Sequence, residues 1–223
     1  FWVQDLWPES LKAAGGVKNI FVLGFFNSLT KWIYKHSKKI LIQSNGFREY
    51  ILTQGIHNDK IIFYPNPTEE FYKPLKEVNE YKEFFKSDFF NIVFAGNIGE
   101  AQSFKTIIEA VNNIKELPVN VIVIGDGRYK KTALNLIKEK GLENHFNFLD
   151  SFPSTEMPKF FAHADGLLVS LKKNKIFSLT IPAKIQSYLA CAKPIIASID
   201  GIGAKIVTDA NCGVVSPAEN MLV

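Results

Sequence analysis

From residue 90 onward the chain alternates short, unbroken apolar runs with stretches of helical period, and this alternation narrows the folds open to it. The runs are NIVFA at 91–95, NVIVIG at 120–125, FNFL at 146–149, GLLVS at 166–170, PIIAS at 194–198 and GVVS at 213–216. They are continuous rather than alternating, as expected of strands buried on both faces. Helices are expected between them over 102–116, 129–140, 155–163, 182–191 and 204–210. Strand and helix in strict alternation fold as a parallel, doubly wound α/β sheet with helices on both faces.

Residues 1–67 carry a shorter version of the same pattern. Strands are expected at 1–5, 39–43 and 60–64, and Gly15-Gly16 breaks the chain between the first strand and a long helix over 19–36. Lys35, Lys38 and Lys39 suit the end of that helix. A second helix over 46–54 has Ser44 or Asn45 as caps and Gly55 as its stop. Pro65-Asn66-Pro67 ends the last strand, because proline cannot donate to a ladder. Residues 68–89, rich in Glu, Lys and Phe, are expected to connect two domains, 1–67 and 90–223, with a short helix of their own. The chain opens without Met inside what reads as a strand, and 218–223 read as the start of a helix. A piece of a longer protein, inactive alone, is the expectation.

Composition excludes disordered and collagen-like classes, with 47% hydrophobic and 22% charged residues. A net charge of +4 is too small to argue for nucleic acid. It leaves room for an anionic ligand or an anionic membrane surface. Cys191 and Cys212 have no metal spacing and read as reduced thiols. There is no Asp-x-Asp pair, His-x-x-x-His, Cys-x-x-Cys, P-loop or G-x-S-x-G elbow.

Ligands of open parallel sheets bind at the C-terminal ends of the strands, so the residues just after each strand are the candidates. Gly96-Asn97-Ile98-Gly99 follows the first strand and fits either a phosphate loop or a tight βα turn. Gly125-Asp126-Gly127-Arg128 follows the second and lacks the third glycine of a dinucleotide fingerprint. Beyond residue 170 come Lys172, Lys173 and Lys175, a polar linker, and a helix start at Pro182 with Lys184 one turn in. A diphosphate there would meet the helix dipole and Lys184. A solvated lysine loop is the plainer alternative.

Taken in order, ILIQSNGFREYILTQG, IIFYPNPTEEFYKP, IVFAGNIGEAQSFKTIIEAV, VIVIGDGRYK, FNFLDSFPSTEMPKFFAHADGLLVS and IPAKIQSYLACAKPIIAS resemble glycosyltransferase family 4, over essentially the whole chain. Within it, WVQDLWPES, FAGNIGEAQ and IPAKIQSYLACAKPIIA look most like bacterial aminosugar transferases of O-antigen and capsule assembly, L-fucosamine transferases among them. The resemblance implies a GT-B architecture of two Rossmann-like domains, here the end of the acceptor domain, a connector and most of the nucleotide-sugar domain. It also implies a retaining, metal-independent transfer from a UDP-sugar to a lipid-linked saccharide, with no cofactor. The implied location is the cytoplasm, with peripheral contact to the inner membrane.

Donor contacts implied by the same resemblance are Gly96, Asn97, Gly99, Gln102, Gly125, Asp126, Gly127, Arg128, Ser151, Phe152, Lys172, Thr180, Pro182, Lys184 and Ser187. Asp5 and Glu9 are the candidates for the reacting centre. The chain departs from the family pattern in several places. Two glutamates usual in the family align with Leu179 and Ser187, and the usual Arg and Lys of the first loop align with Asn97 and Gln102. Lys184, with Lys172, is the expected replacement for the lost charge. Alternatives of another class are a nucleotide-sugar-binding subunit without turnover and a UDP-N-acetylglucosamine 2-epimerase. The third glycine missing after residue 125 argues against a dehydrogenase.

Overall fold

The computed structural model describes residues 1–13, 15, 19–76 and 78–221. Gly16, half of the expected chain break, and residues 222–223, the end of the expected terminal helix, lie outside them. A small lobe comes first: β1 (Trp2–Val3), α1 (Glu9–Ala13), α2 (Ile20–His36), β2 (Ile40–Ile42), α3 (Phe47–Thr53) and β3 (Ile61–Phe63). Its strands form a parallel sheet in the order β1-β2-β3. Asn19 caps α2 by accepting from the Phe21 amide at 2.9 Å. Val3, Leu6, Tyr34, Ile40, Ile42, Phe47 and Ile51 close the core of this lobe.

The large lobe contains β4 (Phe90–Ala95), α4 (Phe104–Asn113), β5 (Val119–Ile124), α5 (Lys130–Glu139), β6 (Phe146–Leu149), α6 (Met157–His163), β7 (Gly166–Ser170), α7 (Lys175–Leu179), α8 (Ala183–Ala190), β8 (Ile195–Ser198), α9 (Ile202–Asp209) and β9 (Gly213–Ser216). Its six strands run parallel in the order β6-β5-β4-β7-β8-β9. This is the doubly wound, Rossmann-like order, and the strand sequence reverses between β4 and β7. Every residue of β5 is buried, which explains the continuous apolar run over 121–124. Phe94, Val121, Val123 and Leu168 pack with the α4 and α5 side. Val93, Ile122, Leu167, Val169 and Ile195 pack with α6, α8 and α9.

Four local readings need correction. The expected linker after the lysines holds α7, capped by the Asn174 side chain, which accepts from the Ile176 amide at 2.8 Å. Ile176 and Leu179 leave the lysine-rich surface and pack on the core of the small lobe. The Ser44 hydroxyl donates to the Leu179 carbonyl at 2.5 Å, and a Cβ on Gly46 would lie 2.7 Å from that same oxygen. A helical turn, Glu9–Ala13, lies between the first strand and Gly15, where no helix was assigned. Gln102 belongs to a separate 3-10 turn, Glu100–Gln102, and Ser103 adopts φ 48° before α4 begins. Residues 218–219 form a turn rather than a helix start, with Glu219 at φ 61°.

The connector is anchored rather than loose. Its 3-10 turn, Lys82–Phe84, follows Tyr81, whose ring stacks on Phe160 at 4.0 Å and whose hydroxyl donates to Glu156. Asn91, buried in β4, donates to the Lys86 and Phe89 carbonyls and accepts from the Lys86 amide and from Asn120 Nδ2, all within 3.0 Å. Removing this side chain leaves several buried polar groups without partners. Asn91→Leu is expected to lower the unfolding free energy by about 2–4 kcal/mol in a urea melt. A loss below about 0.5 kcal/mol, the range of ordinary surface changes, would contradict the hub assignment.

Candidate functional site

A cleft of about 560 Å³ opens at the carboxyl ends of the strands, beside the point where strand order reverses. Its floor is Ala95, Gly96 and Asn97 after β4, with Ile124, Gly125 and Asp126 after β5. One side is Ser151, Phe152 and Ser154 beyond β6, backed by Met157 and Phe161 of α6. The other side is the first turns of α8, through Ala183, Lys184, Ser187 and Tyr188. Glu69 and Tyr72 of the connector complete the wall.

The floor is built by two βα loops lying backbone against backbone. The Ile98 amide donates to the Asp126 carbonyl at 2.8 Å, and the Tyr129 amide donates to the Ile98 carbonyl at 2.9 Å. Gly125 sits at φ 141°, where a Cβ would run into the Gly96 carbonyl. Only glycine allows that approach.

Lys184 gives the cleft its electrostatic character. Its Nζ lies 3.4 Å from the centre of the Phe94 ring. A Cβ on Gly96 would meet Lys184 Cε at 3.0 Å and Nζ at 3.2 Å, so the lysine lies across the glycine loop. Among the described residues no carboxylate pairs with it. The residue keeps part of its surface open, but protein surrounds the amine, and this loss of water pulls its pKa down to about 7. A cation without a paired counter-charge in a cleft is a receptor for an anion. Beside it, the Ser187 hydroxyl lies 3.4 Å from Thr68 Oγ1, and Tyr72 lines the same wall.

Of the expected donor contacts, the structure brings Gly96, Asn97, Gly125, Asp126, Ser151, Phe152, Lys184 and Ser187 together in this cleft. The others lie elsewhere. Lys172 pairs with Glu100 at 3.3 Å and does not join Lys184. Gln102 folds back to accept from the Gly99 amide at 3.1 Å, occupying both residues with the turn. Gly127 packs on Ile98, and Arg128 points into solvent. Thr180 bonds to the Ile176 carbonyl, and Pro182 packs near Gly203. Asp5 and Glu9 belong to the small lobe and line two separate hollows. Crowding raises the Asp5 carboxyl above its ordinary range although the residue keeps an exposed edge. Glu9 shares its hollow with Tyr50.

Glu69, Tyr72, Met157, Phe161 and Tyr188 were not among the sequence candidates. The aromatics between Pro67 and Phe90 were the available signal, since a solvated linker has little use for them.

Comparison with known proteins agrees with this geometry. The family model for group 1 glycosyl transferases matches residues 76–221. WcaI of Escherichia coli (strain K12), named as a glycosyl transferase of colanic acid biosynthesis, is 29% identical over 100 residues, which are 44% of this chain and 24% of WcaI. The crystal structure of Anabaena Alr3699/HepE with UDP and glucose superposes with a TM-score of 0.77 at 16% identity, over 99% of this chain and 58% of that one. Sucrose-phosphate synthase from Thermosynechococcus elongatus gives 0.78 at 14% identity, over 99% of this chain and 55% of that one. The chain thus spans about a quarter of the curated relative and under two thirds of these solved structures. The structural likenesses carry the GT-B fold, and the family match spans more than half of the sequence. This chain belongs to the group 1 glycosyl transferases.

Proposed function

We propose that the cleft binds the nucleoside diphosphate of a UDP-sugar, and that the protein transfers the sugar to a lipid-linked saccharide in the building of a bacterial surface polysaccharide. The observation that carries this reading is the amine of Lys184, laid over the Gly96 loop with no carboxylate beside it among the described residues. In this reading residues 90–223 hold the donor, 68–89 connect, and 1–67 belong to the acceptor side. The sugar is an N-acetylated aminohexose of the N-acetyl-L-fucosamine type, on the segment likeness noted above. The name of WcaI, with its colanic acid role, supports the polysaccharide setting. The protein would work in the cytoplasm, against the inner membrane.

Transfer in this scheme breaks the bond between the anomeric carbon and the β-phosphate oxygen. The acceptor oxygen bonds to that carbon on the same face, and its proton passes to the departing phosphate. Charge then builds on the diphosphate, where a fixed cation in a site poor in water is most effective. Lys184 supplies that charge without a metal. Its amine is about half protonated near neutral pH and takes up a proton when the anion arrives. The hydroxyls of Ser187 and Tyr72 and the carboxylate of Glu69 are placed to hold the donor's own hydroxyls.

A second reading keeps the binding and omits the turnover. Leu179 favours it: where the resemblance expects a carboxylate, this side chain packs on the small lobe's core. Release of UDP from a UDP-sugar and acceptor separates the two readings.

Titration calorimetry of the full-length protein with UDP, in buffers of different ionisation enthalpy near pH 8, tests the binding claim. Wild type is expected to bind with proton uptake, and Lys184→Ala to bind at least about ten-fold more weakly with no uptake. Equal affinity in the two proteins would remove the proposal. The free protein carries its own signature. The unfolded lysine titrates near 10.5 and the folded one near 7, so between those values the unfolded chain holds more protons. Stability therefore rises with pH above about 7. Lys184→Met should raise the melting temperature at neutral pH and flatten that rise, and an unchanged profile would contradict the assignment.

A further inference from the structure

The charge of the chain is segregated. Residues 10–48 contain no Asp or Glu, and six lysines with Arg48 give this stretch a formal +7 within a chain of +4, leaving the remainder at −3. At its centre lies α2, which presents an unusual outer face. Phe21 is 82% exposed, Phe25 64% and Trp32 59%. Their spacing, with Leu29 between, sets them along one line of the helix, away from Tyr34, which is buried in the core of the lobe. Beside this ridge, Lys31 and Lys35 line a hollow of about 550 Å³ with Lys60, His57 and Gln54. Lys60 Nζ donates to the Lys35 carbonyl at 2.9 Å, which fixes one wall. No carboxylate lines the hollow, and among the described residues none pairs with these lysines.

Large aromatics and lysines side by side on an exposed face suit one environment better than any other. The rings of Phe and Trp gain from leaving water at the level of lipid headgroups, while lysine stems reach out to phosphate. A nucleic acid would match the lysines but would leave the aliphatic part of the ridge, Ile20 and Leu29, in water. No helix among the described residues is long and apolar enough to cross a membrane, so α2 would lie on the surface of one.

We propose that the outer face of α2 docks on an anionic lipid bilayer. Phe21, Phe25 and Trp32 enter the headgroup region, and the hollow between Lys31, Lys35 and Lys60 receives a lipid phosphate. The claim specifies the membrane contact raised above, down to its face and lipid charge. It rests on no residue of the cleft and stands whether or not the donor is a UDP-sugar.

Co-sedimentation of the full-length protein with vesicles of phosphatidylcholine, alone or mixed with phosphatidylglycerol, is the test. Binding is expected to be at least about ten-fold tighter to the anionic vesicles and to weaken with salt. K31E/K35E should remove the anionic preference, and F21S/F25S should weaken binding to both vesicle types. Both double variants should keep the wild-type melting temperature within a few degrees, since neither touches a buried side chain. Failure of wild type to bind, or binding unchanged in both variants, would overturn the proposal. So would protection of Phe25 and Trp32 from hydroxyl-radical labelling in lipid-free protein, which would mean that another part of the protein or a second copy covers this face. Loss of binding in the lysine variant alone would also count against it, because a purely electrostatic polyanion surface would explain that result.

Discussion

A lysine amine that has lost most of its water and gained no counter-charge is the constraint around which this cleft is arranged. Lys184 is held between the face of Phe94 below and the Gly96 loop above. Each contact removes water, and an aromatic face returns only part of the lost stabilisation. The usual remedy for a buried cation is a carboxylate, and among the described residues none pairs with Lys184. The free protein therefore carries a cost that an incoming anion relieves. That arrangement is what an enzyme needs if charge is to be neutralised on a leaving group rather than in the resting state.

The rest of the fold keeps this arrangement in register. Parallel strands place the turns after β4 and β5 side by side, and glycine at 125 lets them touch. The Asn91 hub ties the connector to the base of β4 and β5, and the stacking of Tyr81 on Phe160 ties it to α6. Tyr72 and Glu69, further back along the connector, are thereby carried to the cleft wall. The lobes are joined on the other side by α7, through Ile176, Leu179 and the bond from Ser44. One wall of the cleft thus comes from an anchored segment outside the strands that form its floor.

Much of this was legible in the sequence, for reasons that also explain what was not. A run such as VIVIG is short, continuous and set between helical stretches, so the sheet, its parallel sense and the position of the cleft followed from pattern. Lys184 could be singled out because it falls near the start of a helix on the carboxyl side of the strands. Lys172 shared its charge and neighbourhood, but the competing partner, Glu100, lies 72 residues away and cannot be seen in the local sequence. Helix α7 was hidden for a similar reason. Ile176, Phe177 and Leu179 beside the lysines resemble a solvated loop until a second lobe supplies the surface that Ile176 and Leu179 cover. Glu69 and Tyr72 were missed because a connector has no period from which to read which side chains turn inward.

Protonation of Lys184 is the point on which the account turns. It can be read by lysine-selective ¹³C NMR of the Cε resonances across a pH titration, with Lys184 assigned by its loss in a substituted protein. One lysine should titrate near 7 in the free protein and move up by more than about one pH unit when UDP is added. A spectrum in which every lysine titrates near its ordinary value of about 10, with or without UDP, would contradict it.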